Sequence, residues 1–165
     1  MYFYELINEV ERLNTASKIF GISERINYKS SRTEKLHKYG NSFRAHLPSK
    51  EDKEKNGIYC FLNREKEILY IGKAASGNIS REMFAKIPKP VVVDKKNDIA
   101  TFENNYWAGS NLPQHAIECI SKGEFYIGFI LLESSEVTSK METYLQVIYS
   151  MVCNGKLPPL NKRVG

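Results

Sequence analysis

The chain has 165 residues, of which 42% are hydrophobic and 26% are charged, and this composition is typical of a single globular domain. The same proportions exclude collagen-like, disordered and disulfide-scaffold proteins. Lys and Arg total 24 against 19 Asp and Glu, and the resulting net charge of +5 favours a polyanionic partner only weakly.

The cysteines and the start of the chain indicate its compartment. Cys60, Cys119 and Cys153 lie far apart and show neither a metal-binding spacing nor a disulfide framework, which favours a reducing compartment. The first residues lack the basic flank and the long apolar core of a signal peptide. No apolar run approaches the roughly 18 residues of a membrane-spanning helix. We therefore expect a cytoplasmic protein without a membrane partner.

The first 55 residues are predicted to form a helical and basic extension. Apolar residues at helical spacing predict a helix over residues 2–19, with Gly21 as its stop. Residues 25–46, here called the basic segment, carry six basic residues against one acid, and this difference equals the net charge of the whole chain. We expect the basic segment either to bind the DNA backbone or to form a solvated loop. Residues 50–55 are predicted to form a solvated connector. The basic residues are Arg25, Lys29, Arg32, Lys35, Lys38 and Arg44.

The rest of the chain alternates strand and helix patterns. Residues 58–62 and 68–71, joined by a short turn, predict a β-hairpin, and residues 125–132 predict a third strand. Apolar stripes predict helices over residues 79–87 and 139–153, with Gly155 beyond the second. Between them, residues 91–93 suit a short strand and residues 114–121 a helix. The expected fold class is α/β (α+β), a small three-stranded antiparallel sheet flanked by helices, with the helical extension before it.

Two triplets occupy the strands of the hairpin. Gly57-Ile58-Tyr59 and Tyr70-Ile71-Gly72 are separated by ten residues. With both triplets at this spacing, the sequence resembles the GIY-YIG endonuclease family. Further landmarks of that family follow in its order along the chain, namely Lys73, Arg81, Glu142 and Asn161.

The resemblance also divides the chain. It covers residues 56–87 and 124–163, which would form the nuclease core of a single domain spanning residues 1–165. It leaves out the extension, residues 1–55, and an insertion, residues 88–123. The basic segment therefore lies outside the core, and the nucleic-acid assignment of the core rests on the spaced motif residues rather than on bulk charge.

The resemblance implies metal-dependent hydrolysis of DNA phosphodiester bonds in a single step. Tyr59 would take the proton of the attacking water, provided that Lys73 lowers its pKa. Arg81 would offer a donor fork to phosphate oxygens, and Glu142 would hold Mg²⁺ or Mn²⁺ together with waters and the substrate phosphate. Tyr70 would orient the water or the phosphate. One further residue, Asn161, would anchor the C-terminal turn against the site.

Several of these residues also have a purely structural explanation. Glu142 with Ser139 fits a capping box at the start of the last helix, which would account for the carboxylate without any metal. In the insertion, Tyr106 and Trp107 are candidates for stacking on or reading DNA bases, but Trp107 also suits a buried position that stabilises the fold.

The chain shows no second DNA-binding domain of a recognisable kind, which favours a stand-alone, restriction-type endonuclease. Cutting both strands would then favour a homodimer, because one such site acts on one strand at a time. Two alternatives stay open. One is a structure-specific repair or recombination nuclease, or a homing nuclease. The other is a catalytically silent DNA-binding module of the same fold.

Overall fold

A computed structural model describes residues 1–19, 28–35, 55–87, 90, 92–94, 99–132 and 134–164. Over these residues the helices are α1 (Phe3–Ile19), α2 (Ile79–Lys86), α3 (Gln114–Ser121) and α4 (Ser135–Val152). The strands are β1 (Tyr28–Lys35), β2 (Asn56–Leu62), β3 (Ile68–Ala74), β4 (Val92–Asp94), β5 (Ile99–Thr101) and β6 (Tyr126–Leu132). The predicted α+β class is confirmed.

The main sheet has the strand order β1-β6-β2-β3, and every neighbouring pair in it is antiparallel. The three predicted strands form its centre and one edge. The fourth strand, β1, is an addition that the sequence pattern did not predict, because its polar residues show no apolar alternation. It lies within the basic segment, so part of that segment is a strand on β6 and not a loop.

No helix in the described ranges is both long and apolar enough to cross a membrane.

The hairpin between β2 and β3 is closed by the side chain of Asn63. Its Oδ1 accepts hydrogen bonds from the backbone N–H groups of Glu65, at 3.1 Å, and Glu67, at 2.8 Å. Lys66 between them has a φ of 69°, in the left-handed region. An Asn side chain that bonds the backbone two residues ahead mimics a turn, which explains why a short polar stretch sets the register of this hairpin.

The sheet has two faces of different composition. Successive residues of a strand point to opposite faces, and cross-strand partners point to the same face, so the register assigns each residue to one of them. The aliphatic face is covered by α1 and α4, and the aromatic face by α2, α3 and the insertion. The aliphatic face consists of Ile58, Cys60, Leu62, Ile71, Ile130 and Leu132. The aromatic face carries Tyr59, Phe61, Tyr70, Ile127, Phe129 and Leu131.

Gly128 brings α1 close to the aliphatic face. A Cβ at this position would lie 2.5 Å from Cε2 of Phe3, the first residue of α1. Real carbon atoms do not approach so closely, so only glycine leaves room for the Phe3 ring on β6. The N-terminal helix is thereby part of the core that covers the sheet.

The last helix begins one turn before its predicted start. Ser134 is the N-cap of α4, and its hydroxyl accepts a hydrogen bond from the N–H of Val137 at 3.3 Å. The capping box of Ser139 and Glu142 is therefore wrong, since Glu142 lies in the second turn and is 6% exposed. The Ser134 cap removes the structural explanation for this carboxylate.

The insertion contains a small sheet and the helix α3. Strand β4 confirms the short strand expected near residues 91–93, and β5, which pairs with it, was not predicted. Helix α3 has its predicted bounds. Several calls lie outside the described residues, namely Gly21, most of the connector, and Arg25, Lys38 and Arg44 of the basic segment.

Candidate active site

The two tyrosines of the triplets lie side by side on the aromatic face. Tyr59 on β2 and Tyr70 on β3 have ring centroids 5.9 Å apart. Gly72, the cross-strand partner of Tyr59, makes this possible. A Cβ on Gly72 would lie 2.6 Å from Cε1 of Tyr70 and 2.7 Å from Cζ of Tyr59. The last residue of the second triplet must therefore be glycine for the Tyr59 ring to cross β3.

Tyr59 is buried and protonated. It is 1% exposed, and its hydroxyl donates a long hydrogen bond of 3.5 Å to the carbonyl oxygen of Glu82 on α2. Burial, the neighbouring Tyr70 and the carboxylates of Glu82 and Glu142 all raise the pKa of Tyr59 above its ordinary value. The expectation that Lys73 lowers this pKa is wrong.

Lys73 lies on the opposite face of the sheet from Tyr59. It pairs with Ile58 in the hairpin register, so it points to the side covered by α4. There its Nζ lies 2.9 Å from Oε2 of Glu142. Within the described residues, this buried oxygen has no hydrogen-bond partner, so the Lys73 contact is an ion pair without hydrogen-bond alignment. Lys73 therefore acts on Glu142 and not on Tyr59.

Tyr70 is the more accessible of the two phenols. Burial, opposed by a hydrogen bond with Tyr59 and assisted by the Glu142 carboxylate, raises the pKa of Tyr70 to about 12. At neutral pH both hydroxyls therefore carry their protons. The Tyr70 hydroxyl can donate a hydrogen bond to an anion, whereas neither phenol is poised to accept a proton.

Asn161 closes the free edge of β3. Its Oδ1 accepts a hydrogen bond from the N–H of Ile71 at 2.9 Å, and its Nδ2 donates to the carbonyl oxygen of Ile71 at 2.8 Å. The amide thus takes the place of a neighbouring strand and satisfies both backbone groups of one edge residue. Leu160 adds a backbone bond of 2.8 Å to Leu69. These contacts hold the C-terminal segment against the site, as expected for Asn161.

A cleft of about 450 Å³ opens beside this edge. Its charged lining residues are one carboxylate, Glu142, and three cations, with the Lys73 ammonium behind the carboxylate. Because positive charge exceeds negative charge, the cleft favours an anionic ligand. The cleft is lined by Tyr70, Lys86, Tyr106, Glu142, Gln146, Leu160, Asn161, Lys162 and Arg163.

Glu142 fits a divalent cation as a single carboxylate ligand. Mg²⁺ is commonly held by one or two carboxylates plus waters and substrate phosphates, and Glu142 is the one carboxylate among the residues that line the cleft. The described residues contain no group of three or more His, Cys, Asp and Glu side chains that could hold a metal. Most ligands of a cation here would therefore come from water and the substrate.

Arg81 is not brought into the cleft. It lies in the first turn of α2, where its N–H donates to the N-cap Asn78 at 2.7 Å, and its side chain is exposed. It is absent from the residues that line the cleft. The structure thus gathers Tyr70, Glu142 and Asn161 around one cleft and leaves Arg81 outside it.

The DNA-contacting residues predicted in the insertion separate into one exposed and one buried ring. Trp107 is 1% exposed, donates from Nε1 to the carbonyl oxygen of Leu160 at 3.0 Å, and packs edge-on against Tyr70 at 5.0 Å. The predicted contact of Trp107 with DNA bases is therefore wrong, because the buried ring has almost no exposed surface. Tyr106 is 56% exposed at the rim of the cleft.

The basic strand lies away from the cleft. Lys29, Arg32 and Lys35 belong to β1, at the opposite edge of the sheet from β3. Three strand spacings separate these edges, which amounts to about 14 Å. Any DNA contact made by β1 would therefore lie away from the cleft.

Four polar or charged residues of the cleft, Lys86, Gln146, Lys162 and Arg163, were missed by the sequence reasoning. Gln146 follows Glu142 by one helical turn, which places it on the same face of α4, and it donates to the Ile71 carbonyl oxygen at 3.3 Å. Lys162 and Arg163 directly follow Asn161, so adjacency was an available signal. No sequence signal pointed to Lys86 at the end of α2, because only the fold brings this residue to the cleft.

No family model, no curated protein and no solved structure matches this chain.

Proposed function

We propose that this protein is a divalent-metal-dependent endonuclease that hydrolyses phosphodiester bonds of DNA in the cleft beside β3. The resemblance of its two triplets to the GIY-YIG endonuclease family supports this function. The cleft adds independent support, since it combines a buried carboxylate with cationic walls, and phosphodiester hydrolysis needs both a metal ligand and charge neutralisation.

Glu142 is the observation that carries the proposal. It is a buried carboxylate in the interior of a helix, its helix cap is supplied by Ser134, and its Oε2 lacks a hydrogen bond. An unsatisfied buried carboxylate oxygen is costly, and an ion pair with Lys73 offsets only part of that cost. An oxygen of this kind calls for an explanation, and a bound cation or a catalytic role is among those that proteins use.

The residues around the cleft have distinct tasks in this proposal. A cation held by Glu142 would neutralise charge on the phosphate and lower the pKa of a bound water. Lys86, Lys162 and Arg163 attract and hold the phosphate backbone by charge. The Tyr70 hydroxyl, which keeps its proton, donates a hydrogen bond to a phosphate oxygen or orients the attacking water.

Tyr59 and Asn161 act as positioning residues. The buried Tyr59 keeps its proton and fixes the Tyr70 ring through their contact on the aromatic face. Asn161 fixes the C-terminal segment that supplies Lys162 and Arg163 to the cleft wall. The proton of the attacking water would pass to solvent water in the open cleft and not to Tyr59, since the described groups around this phenol raise its pKa. The role of Arg81 stays a prediction.

A cleavage assay tests the function directly. Supercoiled and linear DNA are incubated with the wild-type protein in Mg²⁺ or in EDTA, beside Glu142→Gln and the matched control Glu136→Gln. Glu136 lies on the same helix but is exposed and pairs only with Lys140 among the described contacts. We expect cleavage that depends on Mg²⁺ and falls roughly 100-fold or more in Glu142→Gln, with the control unchanged.

Two outcomes would contradict this assignment. Cleavage that survives EDTA, or equal rates for the two Glu variants, would remove the metal role of Glu142. Salt-dependent binding of DNA by the wild type without any cleavage would indicate the silent DNA-binding module instead. The restriction-type role, the homodimer and DNA contacts of the basic segment remain predictions, and sequencing of the cut ends separates site-specific from structure-specific cleavage.

A further inference from the structure

Tyr106 is an exposed aromatic ring that the structure holds in one place. The Nζ of Lys86 lies over the ring at 3.5 Å from its centroid, and the Trp107 ring meets it at 90° with centroids 5.7 Å apart. The backbone N–H of Tyr106 donates to the carbonyl oxygen of Lys86 at 2.8 Å. Yet Tyr106 remains 56% exposed. The ring is therefore ordered in advance without being buried.

This ring stands at the rim of the cationic cleft. Lys86 reaches the cleft from α2, while Lys162 and Arg163 reach it from the C-terminal segment that Asn161 ties to β3. An aromatic platform between cations is the arrangement by which proteins hold single-stranded nucleic acid, with bases on the ring and phosphates on the charges. Burial in the core does not account for a ring with this exposure.

The size of the cleft limits what part of the DNA it can take. About 450 Å³ is within the range of pockets that take one small ligand, so a single nucleotide fits the cleft. Neighbouring bases cover both faces of a base inside a duplex, so a base that stacks on Tyr106 must leave the helical stack of its own strand. Extrusion of a base costs least where the base is mismatched or already unpaired.

We propose that Tyr106, with Lys86, Lys162 and Arg163, forms a subsite for one unstacked nucleotide next to the phosphate that is cleaved. The inference rests on the proposed function, because it assigns the substrate of the same cleft. It predicts that the protein prefers DNA with a locally unpaired base over a fully paired duplex of the same sequence.

Binding without cleavage tests the ring. The wild type, Tyr106→Leu and Tyr106→Phe are titrated in EDTA against two labelled duplexes, identical except for one unpaired 2-aminopurine in the second. Tyr4→Leu, at an exposed tyrosine of α1, is the matched control. The wild type should bind the second duplex about tenfold more tightly and quench its 2-aminopurine fluorescence, since stacking on an aromatic ring contributes at that scale. Tyr106→Phe and Tyr4→Leu should keep both effects.

Tyr106→Leu should lose both the preference and the quenching. Far-UV circular dichroism and urea unfolding verify that the variant is folded, because the Trp107 ring contacts Tyr106 and its emission would respond to the substitution itself. Equal affinity for the two duplexes, or quenching that Tyr106→Leu retains, would overturn the subsite. Because EDTA prevents metal-dependent cleavage, these results do not depend on catalysis. A chain that binds in this way but never cleaves would contradict the nuclease function alone.

The salt dependence of DNA binding tests the cationic residues of the subsite. A Lys162→Ala/Arg163→Ala double variant should bind the unpaired duplex with a salt dependence whose log–log slope is smaller by about 2, one phosphate contact for each side chain. Lys156→Ala, an exposed cation outside the cleft, should leave the slope unchanged. If the double variant has the slope of the wild type, the phosphates do not lie between these side chains.

Discussion

The two faces of the sheet differ in chemistry as well as in composition. The aliphatic face packs on α1 and α4 through apolar side chains, and Lys73 on the edge strand β3 is paired there with Glu142 of α4. The aromatic face carries Tyr59, Phe61 and Tyr70 against Trp107 and α2, with hydroxyls and a ring nitrogen that need partners. The aliphatic face thus serves mainly as a hydrophobic core, whereas the aromatic face is a core that also supplies polar atoms to the candidate site.

The comparison shows why the cleft lies at an edge. Glu142 comes from the helix on the aliphatic side and Tyr70 from the aromatic side, yet both line the same cleft. Side chains on opposite faces of a sheet are separated by the backbone, so they can meet only around a strand with no further neighbour. Among the described strands, β3 is such an edge strand, and Asn161 closes its backbone while leaving the side chains accessible.

The largest effect is expected within the aliphatic face. Leu145→Ala removes a fully buried side chain of α4 and should lower the free energy of unfolding by about 2–5 kcal/mol. Val147→Ala, an exposed position of the same helix, should change it by less than about 0.5 kcal/mol. Urea unfolding measures both. If the packing of the two faces is independent, the fluorescence emission of Trp107 in the folded Leu145→Ala variant matches that of the wild type. A shifted emission in the folded variant would show that the two faces are coupled.

A smaller effect is expected at the edge that joins the faces. Asn161→Ala removes the amide that bonds the N–H and the carbonyl of Ile71. The substitution should lower the free energy of unfolding by about 1–3 kcal/mol. Asn161→Asp keeps the acceptor for the Ile71 N–H but loses the donor. Hydrogen exchange of the Ile71 amide should therefore accelerate in Asn161→Ala more than in Asn161→Asp. Asn104→Ala, at an exposed turn position, is the control. Unchanged exchange in Asn161→Ala would mean that water replaces the amide at no cost.

The smallest effect is a pH dependence of the aromatic face. The pKa of Tyr70 rises from 10.0 to about 12 in the folded protein. Above pH 10 the unfolded chain therefore loses this proton first, and the free energy of unfolding should fall between about pH 10 and 12, with the contribution fully present below pH 10. Chemical unfolding across this range measures the slope, which Tyr70→Phe should make shallower. An identical slope in that variant would show that Tyr70 is not protected in the folded state.

Much of the local structure followed from the sequence because short-range rules decide it. Helix α3 and the hairpin strands were predicted from apolar spacing and turn residues. The bounds of α3 and the antiparallel pairing of β2 with β3 confirm both predictions. The start of α4 was predicted a turn late because both Ser134 and Ser139 suit an N-cap, and only the fold shows which serine is used. Strand β1 was missed because its edge pairing with β6 leaves no apolar pattern in its polar sequence.

For the candidate site, the sequence by itself determined which residues to examine. The resemblance to the GIY-YIG family pointed to the triplets, Glu142 and Asn161, and the aromatic residues of the insertion were candidates for contacts with DNA bases. Tertiary structure decided their relations, namely that Lys73 pairs with Glu142, that Tyr59 is buried and protonated, and that Lys86 stands near Lys162. The physical reason is that these contacts join elements distant in the chain, and burial and partner charges, which set a pKa, exist only once the sheet has formed.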